Sequence, residues 1–198
     1  MQAICFLFER FSMLELSELS ADEVAAYFSR NKGHLMESMP LQEAHFYTEN
    51  FWVEQIDQYR ESRGQVRELR WFLRDGQQVI GHVGFDQIAR GPFQSCYLGY
   101  GIDSGSQGRG LMRQALLKSL DYMVRDFGLN RVMANYEPGN IRSGRLLRSL
   151  GFEREGYARR YLKLNGRWKD HVLTSLVADV HLAGGSPTGS SNSIVQET

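Results

Sequence analysis

The chain is poor in cysteine, poor in proline and without a surplus of charge of either sign. Its 198 residues hold two cysteines, Cys5 and Cys96, and neither has a second cysteine or a histidine at metal-ligand spacing. A disulfide framework and a structural metal site are thereby excluded, and a reducing, cytoplasmic setting is expected. Four prolines leave no polyproline segment. Lys and Arg total 23 and so do Asp and Glu, so no global field draws the molecule to nucleic acid or to a membrane. No apolar run approaches the ~18 residues of a membrane span. The opening MQAICFLFERF is broken by Glu9 and Arg10 and lacks a basic leader and a small-residue cleavage site, so it does not read as a signal peptide.

What charge there is lies unevenly. Between Arg142 and Lys169 stand nine Lys or Arg and two acids, Glu153 and Glu155, either a solvated face or a patch for phosphates. The length fits one domain with a full core, expected over 1–182. The tail 183–198 has too little apolar content to order itself.

The pattern predicts few helices among many strands. SADEVAAYFSRN reads as a helix, with Ser20 and Glu23 as a capping box and Val24, Tyr27 and Phe28 on one face. Residues 42–63 carry Phe46, Phe51, Trp52, Ile56 and Tyr59 at helical spacing, a core stripe or the wall of a cleft. Two strand-like runs flank Asp75-Gly76, and two more flank Asn165-Gly166, both hairpin signals. SCYLGYGI is a strand, Gln107 to Phe127 has a helical period, and NRVMANYE alternates as a strand. Asn140 then caps a short helix ending at Leu150, with Gly151 placed to close it. One clear βαβ unit among hairpins indicates an α/β (α+β) domain with a mixed sheet.

The stretch YLGYGIDSGSQGRGLMRQALL sets a glycine-rich turn between a strand and a helix. It is not a P-loop, since the lysine and hydroxyl of that motif are missing, and it is not a dinucleotide fingerprint, since Gly110 is followed by Leu111, Met112 and Arg113. Small residues before a helix N-terminus expose backbone amides where the dipole favours a polyanion. Asn140 and Ser143 open the next helix, close behind the neighbouring parallel strand. If the two strands splay past the turn, the cleft between them suits an extended pantetheine arm better than a compact nucleotide.

These motifs resemble those of the GNAT N-acetyltransferases. Gln107-Gly-Arg-Gly110-Leu-Met112, Asn140-x-x-Ser143 and the following LGF carry the likeness, which is strong from about Gly81 to Leu176. It extends to the bacterial members that acetylate the N-terminal alanine of ribosomal proteins, which the chain resembles. The resemblance implies a mostly antiparallel sheet with a central splayed parallel pair, flanked by helices. It further implies acetyl-CoA as cosubstrate, no metal, and direct attack of an amine on the thioester. Gln107, Gly108, Arg109, Gly110, Leu111 and Met112 are expected at the pyrophosphate, Gly99 to Ile102 (Gly101 and Ile102 above all) at the pantetheine, and Asn140 beside it. The expected partner is a ribosomal protein N-terminus, met on the ribosome or its precursor, with the basic 154–169 stretch near ribosomal RNA. Three positions depart from the family pattern: Met112 where Gly or Ala is usual, Leu147 where many members carry a tyrosine, and Asn135 where many carry a glutamate.

An N-terminal amine needs little help. With a pKa near 7.8 it is roughly 10–15% neutral at pH 7, against about 0.04% for a lysine, a difference of roughly 3.5 kcal/mol. A weak, water-relayed base suffices, and Glu137, on the strand face of Asn135, is the first candidate, ahead of His171 and Asp170. Ser143, in the first turn of its helix, is the candidate donor to the thiolate. Two other readings fit the same motifs: an enzyme of this fold acting on a small amine, and an acyl-CoA-loaded ribosome-assembly factor.

Overall fold

The computed structural model describes residues 3–62, 65 and 67–178; the expected tail and the last residues of the expected domain lie outside them. Strands β1 (Phe6–Leu7) and β2 (Ser12–Glu15) lead into helices α1 (Ala21–Arg30), α2 (Lys32–Leu35) and α3 (Glu49–Ser62). Next come β3 (Leu69–Asp75), β4 (Gln78–Ala89), β5 (Ser95–Ile102) and α4 (Leu111–Asp121). The chain continues through β6 (Arg131–Met133), α5 (Ile141–Ser149), β7 (Glu153–Leu164) and β8 (Arg167–Val177). The eight strands make one sheet in the order β1-β2-β3-β4-β5-β6-β8-β7, antiparallel throughout except for β5 beside β6. This is the mixed sheet with a central parallel pair that the sequence led us to expect.

Local chemistry accounts for most boundaries. The Ser20 amide donates to Glu23 Oε2 at 3.1 Å and starts α1. Asn165 and Gly166, with φ of 43° and 72°, make the type I′ turn of the β7–β8 hairpin. Gly151, at φ 90°, closes α5 while the Phe152 amide reaches back 3.1 Å to the Leu147 carbonyl.

Three elements differ from their periodicity. The helix expected over 42–63 is broken at Thr48, whose Oγ1 accepts from the Phe51 amide at 3.4 Å, so Ala44–Tyr47 forms a separate 3-10 turn ahead of α3. The helix expected from Gln107 starts only at Leu111, because Gly108 and Gly110 are left-handed, at φ 74° and 75°. The strand expected through Glu137 stops as β6 at Met133, beyond which an isolated bridge joins Tyr136 to Val172.

Apolar side chains gather on both faces of the sheet. On one, α4, the segment after it and α5 bury Leu111, Met112, Leu116, Leu120, Met123 and Leu147 against Trp71, Phe85, Leu98 and Val132. Each such side chain contributes roughly 1.5–3 kcal/mol on leaving water. On the other, α1 and α3 pack Tyr27, Phe28, Trp52 and Ile56 over Phe72 and Val79, at the β2–β4 side. Among the described residues, no helix is long and apolar enough to cross a membrane.

Candidate active site

The parallel pair holds for three rungs, Ser95 with Arg131, Cys96 with Val132 and Tyr97 with Met133, and then parts. β5 stays with β4 as far as the Gly81–Ile102 rung. The other side follows β8: the Ala134 amide donates to the Thr174 carbonyl at 3.0 Å. Asn135 marks the fork. Its Oδ1 accepts from the Thr174 amide at 3.1 Å in place of a backbone carbonyl, and its Nδ2 donates to the Tyr161 hydroxyl at 3.0 Å. The position where many family members carry a carboxylate is therefore part of what opens the sheet.

Backbone alternation decides which groups line the wedge. The Gln94 carbonyl accepts from the Arg131 amide at 3.1 Å, and the Asp103 amide donates to the Ile80 carbonyl at 2.8 Å. By the two-residue period of a strand, Leu98, Tyr100 and Ile102 turn their peptide groups into the wedge, while Gly99 and Gly101 turn theirs toward β4. The Gly101 carbonyl faces β4: it lies 2.9 Å from where a Cβ on Gly81 would sit. What Gly101 provides is room, since a Cβ there would come within 2.6 Å of His82 Cε1.

The turn beyond β5 is anchored and bare. Asp103, buried at its start, accepts from Arg30 at 3.1 Å and from the Asn31 amide group, which ties α1 to the loop. The first α4 amide with a helical acceptor is that of Gln114, bonded to the Gly110 carbonyl at 3.1 Å. The amides of Leu111, Met112 and Arg113 therefore point out of the helix end. Leu111 and Met112 bury their side chains in the core, so Met112 does not obstruct those amides. No protein atom lies within 4 Å of a Cβ built on Gly108 or Gly110. Gln107 spans the mouth of the wedge: its Nε2 is 2.7 Å from His34 Nε2 and its Oε1 accepts from Arg142. Arg109 is exposed beside it.

Asn140 caps α5, its Oδ1 accepting from the Ser143 amide at 3.1 Å. The Ser143 hydroxyl lies 2.7 Å from Tyr100 Oη, across from β5. Burial pushes the half-buried Tyr100 phenol up to about 12, with Tyr136 adding to the rise and the Ser143 bond opposing it. Sequence reasoning gave Tyr100 a strand-edge backbone role and missed its hydroxyl. Its signal was strand parity, which puts it on the face of Cys96 and Leu98. Leu147, 1% exposed, belongs to the core. Gly144 lets the ring of Tyr136 pack on α5, since a Cβ there would be 2.8 Å from it.

The candidate bases fare differently. Lys169 Nζ donates to Glu137 Oε2 at 2.9 Å, which pairs the Glu137 carboxylate with an ammonium. Asp170 accepts from the Arg160 amide at 2.8 Å and the Tyr157 hydroxyl at 2.7 Å; these bonds hold its carboxyl below the usual range. His171 is buried with its ring centroid 5.4 Å from that of Tyr161. Cys96 is buried, its thiol pushed up to about 12 by burial first and Asp86 second, so it is no nucleophile.

A turn of bare amides, a forked parallel pair and a hydroxyl pair at its edge coincide with a family match. The model of the acetyltransferase (GNAT) domain matches residues 13–153. The chain belongs to the GNAT acetyltransferases. It is 42% identical over 156 residues to the ribosomal protein uS5-alanine N-acetyltransferase of Escherichia coli, covering 77% of this chain and 80% of that protein. The solved ribosomal-protein-S5-alanine acetyltransferase from Vibrio fischeri is 36% identical, with a TM-score of 0.84 over 89% of this chain and 97% of that one. Mycobacterium smegmatis RimJ, solved with CoA-disulfide, shares the fold at 23% identity and a TM-score of 0.76, covering 85% of this chain and 82% of that one. As a GNAT acetyltransferase this chain is an acyl-transferring enzyme.

Proposed function

We propose that the chain transfers acetyl from acetyl-CoA to the N-terminal α-amine of a ribosomal protein beginning with alanine, in the cytoplasm. The wedge carries this reading: its bare turn lies at one end and the Tyr100–Ser143 hydroxyl pair at its edge. The identity to two ribosomal-protein-alanine acetyltransferases supports it. The amides of Gly108 to Met112 hold the pyrophosphate, with Arg109 and Arg142 beside it. Leu98, Tyr100 and Ile102 give the pantetheine amides the partners that a third strand would otherwise take. Asn140 holds Ser143 in place, and Gln107 holds Arg142.

In the reaction a neutral amine attacks the acyl carbon, a C–N bond forms and the C–S bond breaks. Ser143, polarised by Tyr100, donates to the departing thiolate, where the first turn of α5 also favours negative charge. Nothing is acylated on the protein. The exposed basic residues of the β7–β8 hairpin are where ribosomal RNA would be met, and that contact should weaken steeply with salt. A peptide carrying an N-terminal alanine and an internal lysine tests the reading by mass spectrometry. Acetyl on the α-amine alone is the expected result. Acetyl on the lysine, or turnover with free polyamines only, replaces it with an enzyme of small amines.

A further inference from the structure

The sheet face opposite α4 bears three rows of side chains across β3, β4 and β5. The register sets Phe72 beside His82 and Gly101, then Arg70 beside Gly84 and Gly99, and Asp86 beside Tyr97. The first row is covered from α1, whose Tyr27 hydroxyl lies 3.0 Å from His82 Nδ1. The middle row ends in two glycines side by side. A Cβ on Gly99 would meet nothing within 4 Å, and one on Gly84 would meet only Asp86 Oδ2, at 3.7 Å. Adjacent glycines weaken a sheet, and in a strand they mark the close approach of a ligand or of another backbone. The Asp86 carboxyl thus leans over an empty rung. Gly99 is the residue before Tyr100, whose hydroxyl meets Ser143 on the opposite face.

We infer that the Gly84–Gly99 rung seats the first residue of the acceptor polypeptide and that Asp86 takes the proton from its attacking nitrogen. The inference rests on the reading of the chain as an N-terminal acetyltransferase. The seat lies beside the edge of β5 that opens into the wedge, one residue from the hydroxyl pair assigned to the thiolate. With no side chain on either glycine, the amine and a small first side chain lie against bare backbone. As the nitrogen bonds to the acyl carbon it gains positive charge, and the adjacent carboxylate stabilises that charge and accepts the proton. The sulfur leaves with the C–S electron pair and is protonated from the Tyr100–Ser143 pair. The Asp86 proton passes to water, which restores the hydroxyl pair.

The surroundings of Asp86 suit a base. Burial raises its pKa; the Arg70 guanidinium opposes the rise, while Glu68, which shares a hydrogen bond with it, adds to it. Arg70 is itself bonded to Glu68 at 2.7 Å, Tyr97 flanks Asp86 from β5, and the Cys96 thiol on the other face feels its charge. The carboxylate is therefore a stronger base than a solvated one.

The experiment uses the full chain, acetyl-CoA and a peptide beginning with alanine. A Cβ on Gly99 meets nothing within 4 Å and valine suits a strand, so Gly99→Val is expected to fold, which circular dichroism checks. It should keep wild-type CoA affinity by calorimetry and lose at least ~100-fold in kcat/KM for the peptide. Asp86→Asn should lower kcat ~100-fold. In the wild type, log kcat/KM should steepen below the Asp86 pKa, and in the variant that steepening should vanish. Wild-type peptide turnover in Gly99→Val overturns the seat. A wild-type kcat and pH profile in Asp86→Asn overturn the proton role. If Asp86→Asn loses CoA affinity too, Asp86→Ala with added formate decides: restored turnover supports the role, and none overturns it. A wild type that binds CoA but leaves the peptide unacetylated instead overturns the proposed function, which separates the two failures.

Discussion

The Tyr100 phenol and the Ser143 hydroxyl meet at 2.7 Å although one comes from the middle of the sheet and the other from the first turn of α5. The contact joins a strand edge to a helix N-terminus, so a donor assigned to the leaving thiolate has both a polarising neighbour and a favourable dipole. Ser143→Ala should lower kcat by about 10- to 100-fold while changing the KM for acetyl-CoA little, because the bond strengthens in the transition state. Tyr100→Phe should act in the same direction. The double variant should be little worse than the more severe single one, as expected for groups acting as a unit. Steady-state kinetics with chemistry rate-limiting measure this; an unchanged kcat leaves Ser143 as a helix residue only.

Gly110 combines a left-handed φ of 75° with open space around its missing Cβ. Gly110→Val should keep the fold but lower stability by about 1–2 kcal/mol, the cost of that conformation for an L-residue. The new side chain also stands before the exposed amides, so CoA affinity should fall at least ~10-fold, readable by calorimetry. Unchanged affinity in the folded variant removes the pyrophosphate from this turn.

His82 is held neutral, its pKa lowered to about 4 by burial first and by Arg70 second. Between ~6.5 and about 4 the unfolded chain binds a proton that the folded one refuses, so stability rises with pH across that window and is lost on acidification. Urea unfolding should show about 2 kcal/mol less stability near pH 4.5 than near pH 7 from this residue. His82→Gln should flatten that part of the profile. An equally steep acid loss in the variant would assign it to other groups.

Two glycines of β5 should behave oppositely when given a methyl group. At Gly101 a Cβ would lie 2.6 Å from His82 Cε1 and 3.1 Å from Leu35 Cδ2. Gly101→Ala should therefore cost about 1–3 kcal/mol through overpacking. Gly99→Ala, with nothing within 4 Å, should leave the melting temperature near that of the wild type. Thermal denaturation of the two variants side by side checks the contrast.

Where a feature depends on neighbours in the chain, the residues announced it. Asn165-Gly166 turned the hairpin with two positive φ angles, Gly151 closed α5, and the apolar stripe of α1 met the sheet. Features that depend on two distant segments did not show. The arrest of β6 after Met133 comes from the Asn135 side chain meeting the Thr174 amide, 39 positions away. Tyr100 reads as one more aromatic strand residue until α5 brings Ser143 to it. Nothing in the strand of Glu137 reveals its ion pair with Lys169. The late start of α4 was within reach, since Gly108 and Gly110 are the residues that tolerate a left-handed backbone.

The halves of the sheet, β1 to β5 on one side and β6, β8 and β7 on the other, are stitched together by three parallel rungs. Every other junction within a half is antiparallel, and the longest runs through the whole β7–β8 hairpin. Such a seam gives the sheet the outline of tweezers joined at Tyr97 and Met133, with tips at the turn before α4 and the start of α5. The Gln107 side chain, held by His34 on one jaw and Arg142 on the other, ties the tips together.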